Sequence, residues 1–312
     1  PSTLLGNWSY PVIDLSCFAM IANPISGRRK SVDMAQAAYQ RLVENQKKGE
    51  LYLTQKRGDA YRLAGSAINQ GVRFLIGCGG DGTIHEIINA IGQTETDLAL
   101  GILPCGKGND LARALNIPTN LELATEILLT GRPKKIDLGK VGSHYFSTIV
   151  TCGYDAEVGR RVTEEGIQGI AAIFSGTLAY VVTAITTLPL FKAPMATIQG
   201  DFGTYQGQIL ISSTGVTGSY GGGMRILPDA VMDDGLFDVC IIQPISHLTI
   251  LRMLVTLFWG GHTKHPAVQI HRTKSLSITT DPPMKMYADG EYIGDTPKQI
   301  QILPRKLTVV AP

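Results

Sequence analysis

The sequence predicts an α/β fold joined to a β-rich one. A doubly wound parallel sheet with helices on both faces comes first, then an antiparallel, sandwich-like domain. Three observations predict it. Apolar runs of strand length alternate with helical stretches over the first ~130 residues, with crossovers long enough for βαβ units. The loops after three of these runs are rich in glycine and polar residues, and such strand ends share one edge of a parallel sheet. From about Ile136 the helical patterns thin and short alternating runs replace them.

Cys17–Ala22 is the first buried strand. It ends in Asn23-Pro24-Ile25-Ser26-Gly27, a turn by composition. Arg28, Arg29 and Lys30 follow, then a helix over about 31–46. The three basic residues read either as a solvated helix start or as phosphate contacts. Residues 51–54 form a short second strand. A helix then runs from Gly58-Asp59-Ala60 through Ala67, with Asp59 as its N-cap.

The chain is organised around its next stretch. An apolar run from Phe74 breaks at Gly79-Gly80-Asp81-Gly82-Thr83, and a helical pattern follows at once. Glycine lets backbone approach a ligand closely. Free N–H groups at a helix start favour an anion, typically phosphate. The spacing fits neither a P-loop nor a dinucleotide fingerprint. A carboxylate beside phosphates, here Asp81, calls for a metal ion between them. Without a ligand the same residues are a glycine-rich strand-to-helix turn. Residues 98–103 are the next strand, ending in Pro104-Cys105-Gly106-Lys107-Gly108-Asn109-Asp110, and another helix starts near Leu111.

In the second half, residues 145–150, 208–212, 237–242 and 275–279 read as strands. Two helical stretches interrupt them. Residues 167–191 carry no charge and are long enough to span a bilayer, but Gln168, several threonines and Pro189 favour a buried helix. Residues 248–259 are apolar apart from Arg252, with His262, Lys264 and His265 behind them. They read either as an interfacial helix or as one packed on the second sheet. In the run Gly221 to Phe237, Asp233 and Asp234 either cap a turn or hold a hard cation. Asp289-Gly290-Glu291 sets two carboxylates around a glycine. They lie on one side of an extended segment, or flank an Asp-Gly hairpin turn. Residues 307–310 can rejoin either domain.

The 312 residues allow two domains, expected at 1–135 and 136–302, with 303–312 completing the first. A hydrophobic content of 44% points to a well-buried chain, and a net charge of +2 is too small for a nucleic-acid partner. Cys17, Cys78, Cys105, Cys152 and Cys240 form no Cys-x-x-Cys pair, so neither a disulfide framework nor a zinc site is expected, and a reducing cytoplasm is the simplest home. The first residues lack a basic segment followed by an apolar core, so no signal peptide is expected.

Five motifs in order carry a resemblance. They are Asn23-Pro24-x-Ser26-Gly27, Gly79-Gly80-Asp81-Gly82-Thr83, Pro104-x-Gly106-x-x-Asn109-Asp110-x-Ala112-Arg113, Gly221 to Phe237, and Asp289-Gly290-Glu291. Together they resemble the diacylglycerol kinase catalytic domain, most closely its bacterial soluble lipid kinases, relatives of sphingosine and ceramide kinases. The resemblance implies an active site in a cleft between two domains. It implies ATP and Mg²⁺ as cofactors, and transfer of the γ-phosphoryl group to a lipid hydroxyl, most simply that of diacylglycerol. A cytoplasmic enzyme of phospholipid metabolism, peripheral to the membrane, would follow, with a homodimer allowed.

Nucleotide contacts are implied at Asn23, Pro24, Ser26, Gly27, Thr54, Gly80, Asp81, Gly82, Thr83, Glu86, Lys107, Asn109 and Asp110. A structural Mg²⁺ is implied at Asp234, with the carbonyls of Val231 and Leu236. Glu291 matches the proton acceptor, with Asp289 beside it and Asp81 at the phosphates. Two positions depart from the pattern: Lys107 stands for a threonine and His85 for an asparagine. The central motif is shared with NAD kinases. The alternatives are therefore an NAD kinase-like small-molecule kinase and a non-catalytic nucleotide- or lipid-binding regulator on the same fold.

Overall fold

The structure is a computed structural model that describes residues 14–29, 31–163 and 177–312. Lys30, residues 167–176 and the side chains of Arg28 and Arg29 lie outside the described residues. The sequence expectations at those positions therefore lie outside them too.

The first half alternates strand and helix. β1 (Cys17–Ala22), α1 (Ser31–Glu44), β2 (Lys48–Leu53), α2 (Asp59–Asn69), β3 (Phe74–Gly79), α3 (Asp81–Gly92) and β4 (Ala99–Pro104) follow one another, then α4 (Asp110–Ala114) and α5 (Leu121–Thr130). The strands pair in parallel in the order β2-β1-β3-β4. α1 packs with α5, and α2 with α3. Ala35, Ala38 and Leu42 recur at helical spacing on α1, and Ile84, Ile87, Ile88 and Ile91 on α3. These stripes bury the fully apolar β1 and β3 between them.

The chain order reverses direction between β1 and β3, which are parallel neighbours. Their C-terminal ends splay connections to opposite sides there, and open α/β sheets place ligands at such a point. The Asn23 turn and the Gly80 loop leave from those two ends. Asn23 N donates to the Cys78 carbonyl at 3.0 Å, and its side chain to Thr83 Oγ1 at 3.4 Å.

The second half begins with β5 (Arg132–Val141), β6 (His144–Phe146), β7 (Ile149–Gly153), α6 (Tyr154–Thr163) and α7 (Thr177–Thr187). Then come β8 (Met195–Gly200), β9 (Gly203–Gln208), β10 (Ile211–Gly215), β11 (Phe237–Ile242) and α8 (His247–Thr256). It ends with β12 (Val268–Thr273), β13 (Ser275–Asp281), β14 (Lys285–Ala288), β15 (Glu291–Asp295) and β16 (Lys298–Ala311). Six strands form an antiparallel sheet in the order β12-β11-β10-β7-β14-β15. Its strands alternate between two cores. Phe237, Val239 and Ile241 face Ile198, Leu276, Ile278 and Ile300 of the other sheet, which makes the expected sandwich. Cys240 and Ile242 face the opposite way, against Ile250, Met253 and Leu257 of the α8 region. Alternation with a period of two explains why both faces are buried.

The sheets do not divide with the halves. β16 pairs in parallel with β4 through Thr308 and Val309, and antiparallel with β5 and β13. It joins the parallel strands to β13, β8 and β9 in one ten-stranded sheet. The run 307–310 thus completes the first sheet.

Three sequence expectations are corrected. Residues 145–150 are not one strand: β6 ends at Phe146 and β7 starts at Ile149, because the N–H groups of Ser147 and Thr148 turn to the Asp289 carboxylate. Residues 208–212 span the end of β9 and the start of β10. Asp59 is not the N-cap of α2; that position is Gly58, at φ 87°. The Asp59 carboxylate accepts instead from Gln55 N and Lys56 N, at 2.8 and 3.1 Å.

Candidate active site

The loop after β3 and the loop after β4 touch backbone to backbone. A Cβ on Gly106 would lie 2.5 Å from Gly80 Cα, so no side chain fits there. The Asp81 carboxylate bridges the same two loops. It accepts from Asn109 N at 2.9 Å and from Asp110 N at 2.7 Å. A Cβ on Gly108 would collide with it, at 2.3 Å from Oδ2. Asp110 repeats the device one loop further on, accepting from Gly221 N at 2.9 Å and Gly222 N at 3.1 Å. Arg113 donates to it at 2.6 Å.

Burial pushes the Asp81 and Asp110 carboxyls up, and each also feels a neighbouring carboxylate. Backbone N–H groups pull both back, yet Asp81 stays above the usual carboxylate range and Asp110 reaches about 6.

The antiparallel half enters through the β14–β15 hairpin. Asp289 and Gly290 have φ values of 50° and 84°, as a primed two-residue turn requires. The hairpin alternative therefore holds, and the extended one fails. The two carboxylates meet different groups. Asp289 is 4% exposed and accepts from Ser147 N at 3.0 Å, Thr148 N at 2.8 Å, both hydroxyls, and His85 Nδ1 at 3.2 Å. Burial would raise its pKa, but the His85 contact and these donors outweigh it and hold the carboxyl below its usual range. The same contact raises His85 against the lowering effect of its own burial, with Glu291 and Glu86 adding to the rise. Glu291 is 29% exposed and pairs with Arg57. A Cβ on Gly82 would sit 3.1 Å from its Oε1.

A cavity of about 980 Å³ lies between these groups, with Asp81, Lys107, Asp110, Asp289 and Glu291 on its wall together with Ser26 and Gly27. A recess of about 370 Å³ adjoins it, sharing Ser26, Gly82 and Glu291. Asn23, Pro24, Thr54, Gly80, Thr83 and Glu86 line that recess. α3 opens into it with its N-terminal turn. The glycine loop and the carboxylate turn near residue 290 therefore share one space.

Other expected site residues fall differently. The Glu86 carboxylate accepts from Gly58 N at 2.7 Å and Ala60 N at 3.0 Å, so it caps α2. The Asn109 side chain exchanges two 2.8 Å hydrogen bonds with the backbone of Gly106 and braces its own loop. Val231, Asp234 and Leu236 do not line the cleft. Asp234 pairs with Arg272 and accepts from Leu236 N at 3.0 Å. Asp238 Oδ2 beside it is buried without a hydrogen-bond partner. Among the described residues no three His, Cys, Asp or Glu side chains gather as a metal cluster.

Sequence reasoning missed four features. Arg57 had no motif around it. Ser147 and Thr148 were read as strand. Cys78 and Cys105 bring their Sγ atoms to 3.2 Å beneath the two loops, far apart in sequence. Asp155 did carry a signal, a carboxylate straight after an apolar strand. It is buried on the cavity wall, meets Tyr220 Oη at 3.1 Å and Ser213 Oγ at 3.3 Å, and is pushed up to about 7, mainly by burial.

The family described as the diacylglycerol kinase catalytic domain matches residues 18–141. The YegS C-terminal NAD kinase beta sandwich-like domain matches residues 148–311. A diacylglycerol kinase of Staphylococcus saprophyticus is 32% identical over 300 residues, 94% of each chain. One from Staphylococcus aureus is 33% identical over 294 residues, 94% of this chain and 91% of its own. A solved diacylglycerol kinase from Bacillus anthracis superimposes with a TM-score of 0.75 at 21% identity, covering 95% of this chain and 97% of its own. That last likeness speaks for the fold. With both halves matched and the relatives similar from end to end, the chain belongs to the diacylglycerol kinase family.

Proposed function

We propose that the protein transfers the γ-phosphoryl group of ATP to the hydroxyl of a lipid, diacylglycerol first among them. The observation that carries this reading is the shared cavity. A glycine loop at a helix start and a solvent-reachable carboxylate, Glu291, face one space large enough for a nucleotide and an alcohol. The division into a nucleotide-binding part, 1–135 with 303–312, and an acceptor-binding part, 136–302, belongs to the same proposal.

Phosphoryl transfer asks for positioning and charge neutralisation. Gly80, Gly82 and Thr83 hold the phosphates at the N-terminus of α3. Asn23, Ser26 and Thr54 bound the nucleotide recess, and Lys107 offsets charge on the phosphates. Glu291 takes the proton from the acceptor hydroxyl. That oxygen forms a bond to the γ-phosphorus, the bond to the β-γ bridging oxygen breaks, and ADP leaves. Arg57 holds the Glu291 carboxylate toward Gly82. Asp289 is saturated with donors and positions the turn, so Glu291 is the acceptor of the two.

The residues fit a divalent cation at the phosphates. Asp81 keeps lone pairs beyond its two N–H bonds, and the buried Asp81–Asp110 pair carries like charge that a cation would relieve. Mg²⁺ bound there would neutralise phosphate oxygens. A second, structural Mg²⁺ would be held by Asp234 with the Val231 and Leu236 carbonyls, in place of Arg272, which now pairs with Asp234 and lies 3.8 Å from Asp238 Oδ2. A rise in Tm with Mg²⁺ that Asp234→Asn abolishes tests it.

The deciding assay offers labelled ATP and Mg²⁺ with diacylglycerol, a sphingoid base or NAD⁺. Labelled phosphatidic acid is the expected product. Transfer to NAD⁺ alone, or ATP binding without transfer, overturns the proposal.

A further inference from the structure

The short helix α8 has two apolar faces, and among the described residues only one has a partner. Ile250, Met253 and Leu257 point into the core against the six-stranded sheet. With Leu254 they wall a narrow apolar cavity of about 30 Å³, which meets the large cleft at Asp155 and Tyr220. On the other side Leu248, Leu251 and Val255 recur at i, i+3 and i+7, followed by Phe258 and Trp259 in the 3-10 turn Leu257–Trp259. Leu248 and Val255 are each 58% exposed and Trp259 60%. Five large apolar side chains in one stripe form a patch that water disfavours.

The charge around the stripe selects what covers it. From residue 244 to 274 the sequence contains no Asp or Glu. It carries Arg252, Lys264, Arg272 and Lys274. Arg252 lies exposed on the stripe itself, and Lys264 is exposed just past Trp259. An apolar stripe ending in Phe and Trp, with exposed Arg252 on it and exposed Lys264 beside it, complements an anionic bilayer surface. The aromatic pair suits the headgroup level, and the long basic side chains reach the phosphates above it.

We propose that the outer face of α8 and its 3-10 extension is the surface by which this protein lies on an anionic lipid bilayer. This surface does not rest on the lipid-kinase reading. One helix then separates the bilayer from the narrow apolar cavity that meets the cleft at Asp155 and Tyr220.

The test uses the full chain and vesicles of equal parts phosphatidylcholine and phosphatidylglycerol, with pure phosphatidylcholine as the control. The parent protein sediments with the anionic vesicles. The double substitution Val255→Asp with Phe258→Asp loses roughly tenfold in vesicle binding, with an unchanged melting curve. Neither residue lines the cavity, so transfer to a dispersed short-chain diacylglycerol stays within about twofold of the parent. In a Trp8→Phe background, Trp259 emission shifts to the blue on adding anionic vesicles.

Failure of the parent to bind, or binding that survives the double substitution, overturns the surface. A lipid-free dimer that the double substitution dissociates overturns it as well, and gives the face to a second copy of this chain. Vesicle binding without transfer to any lipid sinks the kinase reading and leaves the surface standing.

Discussion

The parallel and antiparallel halves both bring carboxylates to the cleft, and they hold them in different ways. In the parallel half Asp81 is gripped by the backbone of the neighbouring loop, and Asp110 by the next loop again. These carboxylates stitch three loops side by side. In the antiparallel half a single hairpin turn separates the two kinds of carboxylate. Asp289 is saturated by Ser147, Thr148 and His85, while Glu291 has Arg57 as its ion-pair partner among the described residues. The difference teaches which groups are fixtures and which remain available. A carboxylate filled with N–H donors anchors backbone, and one that meets only an exposed guanidinium is left open to the cleft.

The largest effect should come from breaking the anchor. Asp289→Ala leaves two buried N–H groups and His85 without their acceptor, and should cost roughly 3–5 kcal/mol in denaturant unfolding. A loss comparable to a surface substitution would erase the distinction between the two carboxylates. Next is the available group. Glu291→Gln should lower kcat at least about 10²-fold with Tm unchanged, because general-base help is removed and no packing is. Asp81→Asn should lose about as much turnover and also Tm, since the two N–H groups meet different carboxylate oxygens and the amide puts an NH2 donor in place of one of them. If both variants behave alike in Tm, the contrast between halves is too simple.

A pH profile sharpens the same contrast. His85 is raised by Asp289, so its contribution is full below the unfolded value near 6.5 and fades as pH rises through the higher folded value. Asp289 is lowered, so its contribution is present above about 3.8 and is lost as pH falls through its folded value. The Tm gap between the parent and His85→Gln should therefore narrow on the alkaline side. A gap that widens there would reverse the assignment. The smallest change is expected at Glu86→Ala, which removes the cap of α2 for about 1 kcal/mol. Thermal melts check it, and an unchanged KM for ATP would confine Glu86 to the cap.

The parts of this design that were legible in sequence are those set by neighbours along the chain. The glycine loop, the β-α alternation and the Asp-Gly turn each announce themselves within a few residues. What stayed hidden depends on pairs far apart. Asp289 stops a strand that looked continuous at Ser147, and Glu86 rather than Asp59 caps α2. A local pattern gives an N-cap to the nearest carboxylate, and only the packing of α3 beside α2 brings a better one. His85 was visible as a departure from the family pattern, but its partner was not.

One consequence follows from β16. Because its far end lies beside β4 while its near end lies beside β13, the strand fastens the parallel and antiparallel halves into one piece of fabric. A chimaera that grafts a foreign antiparallel half onto strands β1–β4 must import a matching final strand too, or leave the seam of the parallel sheet open. Specificity in this architecture is therefore easier to alter by changing cavity walls than by shuffling whole halves.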